Sequence, residues 1–174
     1  MLTRLPRVAR SRGFTIIELM ISIIVLVILI TIAMPSFMTW LQNIQIRNAA
    51  SAVLSGIQRA RAEAVGRNAN VDFVMAADSS WSVNVVATAA NIESRSAIEG
   101  SQNVTRTVQP AGATTITFNN FGVVVANADG SASLAQIDFT AVGGDRNMRI
   151  IIGAGGNTRM CDPHLTPGSS ASAC

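Results

Sequence analysis

Residues 14–35 read FTIIELMISIIVLVILITIAMP, and this stretch decides how the chain is built. Between Leu19 and Met34, eleven of 16 residues are Ile, Leu or Val, two are Met and one is Ala; only Ser22 and Thr31 are polar. Phe14 to Met34 is 21 residues. As a helix rising about 1.5 Å per residue, that length crosses a hydrocarbon core of roughly 30 Å. The preceding MLTRLPRVARSRG carries Arg4, Arg7, Arg10 and Arg12 and no acid. Such clusters stay cytoplasmic, so the N-terminus is expected in the cytoplasm and the remainder is expected to be exported. Glu18 breaks the apolar run. A charge at mid-membrane costs about 2.5–3.5 kcal/mol, whereas eleven aliphatic residues contribute about −3 to −7 kcal/mol, so insertion prevails. The carboxylate still needs a partner, and an ionisable residue here marks function by default. A cleavable secretory signal fits poorly, because the run exceeds the usual roughly 7–15 residues, contains an acid and leads to no A-x-A site.

Outward from this stretch, the chain has 174 residues, 49% of them hydrophobic and 13% charged, a balance that excludes collagen-like, mucin-like and strongly charged disordered chains. Its formal charge of +3 is misleading. All 13 basic residues are Arg and four lie before residue 13, leaving nine against ten acids in the rest. No global basic field draws a polyanion to the head.

The basic leader, Gly13-Phe14-Thr15, Glu18 and the closing Ala33-Met34-Pro35 resemble the class III signal of type IV pilins and type II secretion pseudopilins. The resemblance implies cleavage by a prepilin peptidase between Gly13 and Phe14, and N-methylation of the new Phe14 amine. It also implies that Glu18 pairs with the Phe14 amine of a neighbouring subunit during assembly. A carboxylate and an ammonium in a low-dielectric medium relieve each other's desolvation. Pro35 removes a backbone donor and is expected to kink the helix.

Beyond Pro35 the pattern becomes one-sided. Ile46, Ala49, Ala50, Val53, Ile57, Ala60 and Ala64 make one helical stripe, with Arg47, Ser51, Ser55, Gln58 and Arg59 opposite. Gly66 with Arg67-Asn68 reads as the stop, so one helix is expected from about residue 14 to 65. Strands are expected over 71–75, 81–86, 114–119, 123–126, 136–140 and 148–152. Residues 87–113 read as a long loop or irregular strands. The expected fold is α+β and type IV pilin-like: a long N-terminal helix, transmembrane in its first half, packed on an antiparallel sheet. The expected organisation is a leader at 1–13, a membrane half of the helix at 14–35 and a periplasmic half at 36–67. A β-rich head at 68–160 and a C-terminal disulfide loop at 161–174 follow.

The head resembles the minor pilins and pseudopilins named for GspH and FimT. The residues carrying this are Ile57-Gln58-Arg59-Ala60-Arg61-Ala62-Glu63-Ala64, then Asn68 and Val71. Thr115-Ile116-Thr117-Phe118, Phe121-Gly122, and Arg149-Ile150-Ile151-Ile152 leading to Gly156-Asn157-Thr158-Arg159-Met160-Cys161 add to it.

Cys161 and Cys174 are the two cysteines, in a segment expected to enter a disulfide-permissive compartment. They are expected to bond, and their spacing is not that of a C-x-x-C redox pair. His164 is the single His, and with Cys161 and Asp162 so close in sequence it makes no convincing metal cage. No metal and no cofactor are expected.

Three functions compete. The leading one is a structural subunit, a minor pilin or pseudopilin, whose partners are other pilins or pseudopilins, the prepilin peptidase and inner-membrane lipid. The second is a DNA-binding minor pilin of natural transformation, since some members of the resembled family carry G-R-x-R near the C-terminus. Here Asn157 replaces its first Arg, leaving Arg159, with Arg146 and Arg149 upstream as further candidates. Phosphate binding needs several cations acting together, and Asp145 and Asp162 dilute this patch. The third is an anchored enzyme, against which stand the missing G-x-S-x-G, H-E-x-x-H and phosphate-loop patterns.

Overall fold

The computed structural model describes residues 13–168 and 170–174. The four leader arginines lie outside the described residues. The contacts divide the chain into two compact units after Phe37, and each is described by itself.

Through both runs one helix, α1 (Ile16–Arg67), with Pro35 inside it. In the first unit its side chains are exposed throughout, as expected of a helix whose solvent is lipid. In the second unit it turns amphipathic. All seven stripe residues named above are buried, and Gly56 is buried among them. A Cβ at Gly56 would lie 2.8 Å from a ring carbon of Phe73 and 3.0 Å from Trp81, so glycine is what lets the helix approach the sheet here.

The helix outruns its expected end at Gly66. Asn68 takes the left-handed conformation, φ 51°, which a short polar residue tolerates. Ala69 then donates to the Ala64 carbonyl and Asn68 to that of Val65, the two bonds of a Schellman cap. Gly66 is therefore an ordinary helical residue, and the cap falls on Asn68.

Among the described residues the head has nine strands in two antiparallel sheets, where the sequence led us to expect one sheet. The strands are β1 (Val71–Met75), β2 (Trp81–Val85), β3 (Ala90–Arg95), β4 (Val104–Gln109) and β5 (Thr115–Phe118). After them come β6 (Val124–Val125), β7 (Gln136–Ala141), β8 (Met148–Ile152) and β9 (Thr158–Cys161). The first sheet runs β3-β2-β1-β5-β6 and the second β4-β7-β8-β9. The alternation expected of half-buried strands is clear in β1 and β2, where Val71, Phe73 and Met75 face inward opposite Val85, Val83 and Trp81. In the second sheet Ile137 opposes Ile150, both fully buried.

The segment 87–113 contains β3 and β4 and is not a loop. Both are edge strands, and β3 buries none of its residues, so neither carries a strong apolar period. β9, an edge strand as well, escaped notice for the same reason.

One polar side chain ties the two sheets together and a second ties a connecting loop to the first sheet. Arg106, facing inward from β4 opposite Phe139, donates to the carbonyls of Ala76 at 2.8 Å and Met75 at 3.4 Å, at the end of β1. Burial pushes its pKa down, and nearby Asp78 opposes the shift. Asn127 is 5% exposed and fully engaged. It accepts from the Thr117 hydroxyl at 2.9 Å and donates to the Thr115 and Ser131 carbonyls, pinning the loop between the sheets.

Candidate functional site

The N-terminal signal takes its shape from helix-end chemistry. Thr15 precedes the first helical residue, and its Oγ1 accepts the Glu18 backbone N–H at 3.2 Å. Thr15 is thus the N-cap and Glu18 the third helical residue, the T-x-x-E spacing of a capping box. Unpaired backbone N–H groups gather at this end, so a carboxylate is favoured in the first turn. That favour lowers the penalty for Glu18 in an apolar helix. Phe14 is 82% exposed, just outside the helix.

In the head, three segments that carried the family resemblance converge on one point. Arg61, from the helix, donates its Nε–H to the Gly122 carbonyl at 3.0 Å. Gly122 and Gly156 both have positive φ, +71° and +78°. A Cβ on Gly122 would meet Arg61 Nε at 3.0 Å. A Cβ on Gly156 would run into the Gly122 carbonyl oxygen and lie 3.1 Å from Arg61 Nε. The helix arginine, the Phe121-Gly122 turn and the Gly156 loop therefore form one lock, in which positive φ favours glycine at both turns and the Gly122 carbonyl blocks a Cβ on Gly156. Next to Arg61 along the helix, Glu63 accepts from Arg67 at 2.6 Å and Arg59 at 2.9 Å. The Arg67 hydrogen bond leads in holding the Glu63 carboxyl below its ordinary pKa, against a burial effect that would raise it.

The three arginines considered for nucleic acid do not form one free patch. Arg149 faces Asp138 across the β7–β8 ladder and holds it with two bonds, at 2.6 and 3.1 Å. The bond to Asp138 raises the Arg149 pKa. Arg159 donates to the Ala173 carbonyl, fastening the C-terminal tail to β9. Arg146 and Arg159 are both exposed, and Arg146 lies in the β7–β8 loop. This loop is held by Asn43 of the helix, whose Oδ1 accepts the backbone N–H groups of Asp145 and Arg146, each at 3.1 Å.

Cys161 and Cys174 are bonded, as expected from the sequence. The Asp162 N–H donates to the Ser172 carbonyl at 2.7 Å beside the bridge. His164 lies against the Asn147 amide at 2.8 Å. Among the described residues no group of three or more His, Cys, Asp or Glu side chains is placed to hold a metal ion.

A helix that is wholly apolar and then amphipathic, with antiparallel sheets on the amphipathic part, defines the minor pilin and pseudopilin class of fold. The family model of the type II transport protein GspH matches residues 49–156, and the chain belongs to this family. The prokaryotic N-terminal methylation motif matches residues 8–34. Among solved structures the chain is similar to the type IV minor pilin FimU of Pseudomonas aeruginosa, at 18% identity and a TM-score of 0.52, over 72% of this chain and 90% of that one. A second crystal form of FimU gives 19% identity and 0.52, over 71% and 98%. The minor pseudopilin EpsH from the type 2 secretion system of Vibrio cholerae is similar at 12% identity and 0.46, over 67% and 98%. No curated protein matches. The family is one of structural pilins and pseudopilins, and none of these likenesses supports DNA binding. The apolar helix and the methylation motif together point to membrane anchoring.

Proposed function

We propose that this chain is a minor subunit that joins or initiates a periplasmic type IV pilus or type II secretion pseudopilus. The observation that carries this is one chain holding both the N-terminal methylation motif and the GspH head. On this reading the chain is no enzyme, and its partners are other pilins or pseudopilins. It inserts as a single pass in the inner membrane through residues 14–35, with the N-terminus cytoplasmic and the head periplasmic. The prepilin peptidase removes the leader after Gly13, and the Phe14 amine is methylated. Glu18 then meets the Phe14 amine of a neighbouring subunit, where each charge offsets the desolvation of the other. Pro35, lacking an N–H, gives the helix a place to bend.

Two substitutions test this reading. Glu18→Ala is expected to leave the chain in the membrane fraction while its share of sheared filaments falls roughly tenfold or more, the effect of losing about 1.4 kcal/mol of subunit contact. Undiminished incorporation would reject the role of Glu18. Gly13→Glu is expected to block cleavage, so that intact mass shows a precursor retaining residues 1–13. A normal mature mass would reject the cleavage site.

A further inference from the structure

Among the described residues four strands stand at sheet edges, and three of them are closed to further pairing. β3 carries a bulge where its register on β2 shifts between Val83 and Asn84, and it bears the charges of Glu93 and Arg95. β6 is two residues long, and its Val124 N–H donates to the Ala154 carbonyl at 3.1 Å. β9 is covered by the tail, through the bridge between Asp162 and Ala173 and the Arg159 bond to the Ala173 carbonyl. Bulges, charges, short length and covering segments are the devices that keep an edge from pairing. β4 is different. It runs six residues in unbroken register with β7, and no other strand lies beside it. Its exposed side chains, Thr105, Thr107 and Gln109, are uncharged. Its one charge, Arg106, is turned inward and engaged with the Ala76 and Met75 carbonyls.

The backbone of β4 shows which groups are open. The Thr105 carbonyl accepts from the Thr140 hydroxyl at 3.5 Å, and the Gln109 carbonyl accepts the Ala135 N–H at 2.9 Å. The Val104 N–H turns the other way and donates to the Ser101 carbonyl at 3.1 Å. Odd-numbered residues therefore direct their backbone groups to β7, and even-numbered residues direct theirs outward. Among the described residues the N–H and C=O of Arg106 and Val108 have no partner. On one side of them the Val104 N–H is engaged, and on the other Pro110 has no N–H. The open donors are thus placed symmetrically about Thr107.

We infer that this edge pairs with β4 of a second copy, run antiparallel about Thr107. Arg106 of each copy exchanges two hydrogen bonds with Val108 of the other, so every open group is satisfied. Thr107 meets Thr107 on the two-fold axis, and Thr105 lies opposite Gln109. No like charges face each other, whereas a register centred on Arg106 would set the two arginines opposite, which is destabilising. A two-fold contact uses the same patch on both copies and closes with two, so it is a dimer contact of the head and does not extend a filament.

The test is register-specific cross-linking of the full chain in detergent under a mild oxidant. Cys161 and Cys174 are bonded to each other, so an introduced cysteine is the free thiol. Thr107→Cys is expected to cross-link to a dimer, since Cα atoms of a pair that exchanges no hydrogen bonds lie about 4.5 Å apart, within disulfide range. Thr105→Cys and Gln109→Cys are each expected to stay monomeric, since their equivalent residues stand about 13 Å apart along the strand. Mixed together, those two variants are expected to give a dimer. All three positions are exposed, so the melts should match that of the natural protein. Val108→Pro, added to Thr107→Cys, removes an outward N–H and leaves the β7 ladder bonds in place, and is expected to lower cross-linking several-fold. A monomeric Thr107→Cys variant overturns the proposal. So does Thr105→Cys alone cross-linking as readily as Thr107→Cys, which would show chance collision. Undiminished cross-linking with Val108→Pro overturns the backbone pairing as well. None of these results bears on the filament reading, which the Glu18 and Gly13 variants test separately.

Discussion

Gly156→Ala is expected to destabilise the head by roughly 2–5 kcal/mol, from two additive effects. An alanine forced to φ near +78° loses about 1–2 kcal/mol, because its Cβ crowds its own backbone. Its methyl would also collide with the Gly122 carbonyl oxygen, which already accepts from Arg61. The obstacle is backbone and cannot rotate aside, and overpacking of this kind costs about 1–3 kcal/mol. A domain is stable by only about 5–15 kcal/mol, so the midpoint should fall by about 10 °C in thermal unfolding of the full chain in detergent. Gly155→Ala is the control. Its methyl would meet only the Asn157 side chain, at 3.8 Å, and its melt should stay within a degree or two of the natural protein. Equal melting of both variants would show that the Arg61–Gly122–Gly156 lock does not hold the head together.

Cys174→Ser is expected to remove up to about 3 kcal/mol, the chain-entropy value for closing a loop of this size. The bridge links residues 13 apart in sequence and closes a tail with few contacts of its own. Those contacts include the Asp162 to Ser172 backbone bond and the Arg159 bond to the Ala173 carbonyl. Without the bridge the tail should open, and limited proteolysis should cut between Leu165 and Ser172 before the rest of the head. Reducing the natural protein should lower its melt to that of the variant, while the variant should not respond to reductant. A variant melting with the oxidised natural protein would show that the bridge adds nothing to stability. Alkylation with mass detection gives the direct check, and two free thiols in exported protein would contradict the bond.

The residues that were legible in the sequence share a property: their environment is set by near neighbours in the chain. The lipid-length run declares itself by composition alone, and Glu18 stands out against it. The stripe from Ile46 to Ala64 shows because a helix returns to the same face every three or four residues, and each of its positions is buried. β1 and β8 fall at their expected bounds, because both are short apolar-rich runs. The edge strands β3, β4 and β9 were missed, since an edge residue with solvent on one side and at a margin needs no apolar period.

The candidate DNA residues show the opposite case. In the sequence Arg149 and Arg159 are spare cations near a family motif. Asp138 lies 11 residues away and the Ala173 carbonyl 14 residues away, and only the β7–β8 ladder and the folded tail bring them within bonding distance. The Arg61–Gly122 bond spans 61 residues, so its glycines look like ordinary loop residues until the helix is laid across them.

By itself, then, the sequence determined the membrane-length helix, its amphipathic continuation, the signal around Gly13, Phe14 and Glu18, and a β-rich head. The helix, its continuation and the head follow from composition and local period, which folding does not alter, and the signal follows from the resemblance of its motif. Tertiary structure alone decided that the head has two sheets, that Arg106 joins them and Asn127 pins the loop between them, and that Arg149 and Arg159 are bound within the fold. It also decided that glycine is favoured at Gly122 and Gly156. The reason is that hydrogen bonds and steric contacts act over a few ångströms in space, and chain separation says little about which distant residues come that close.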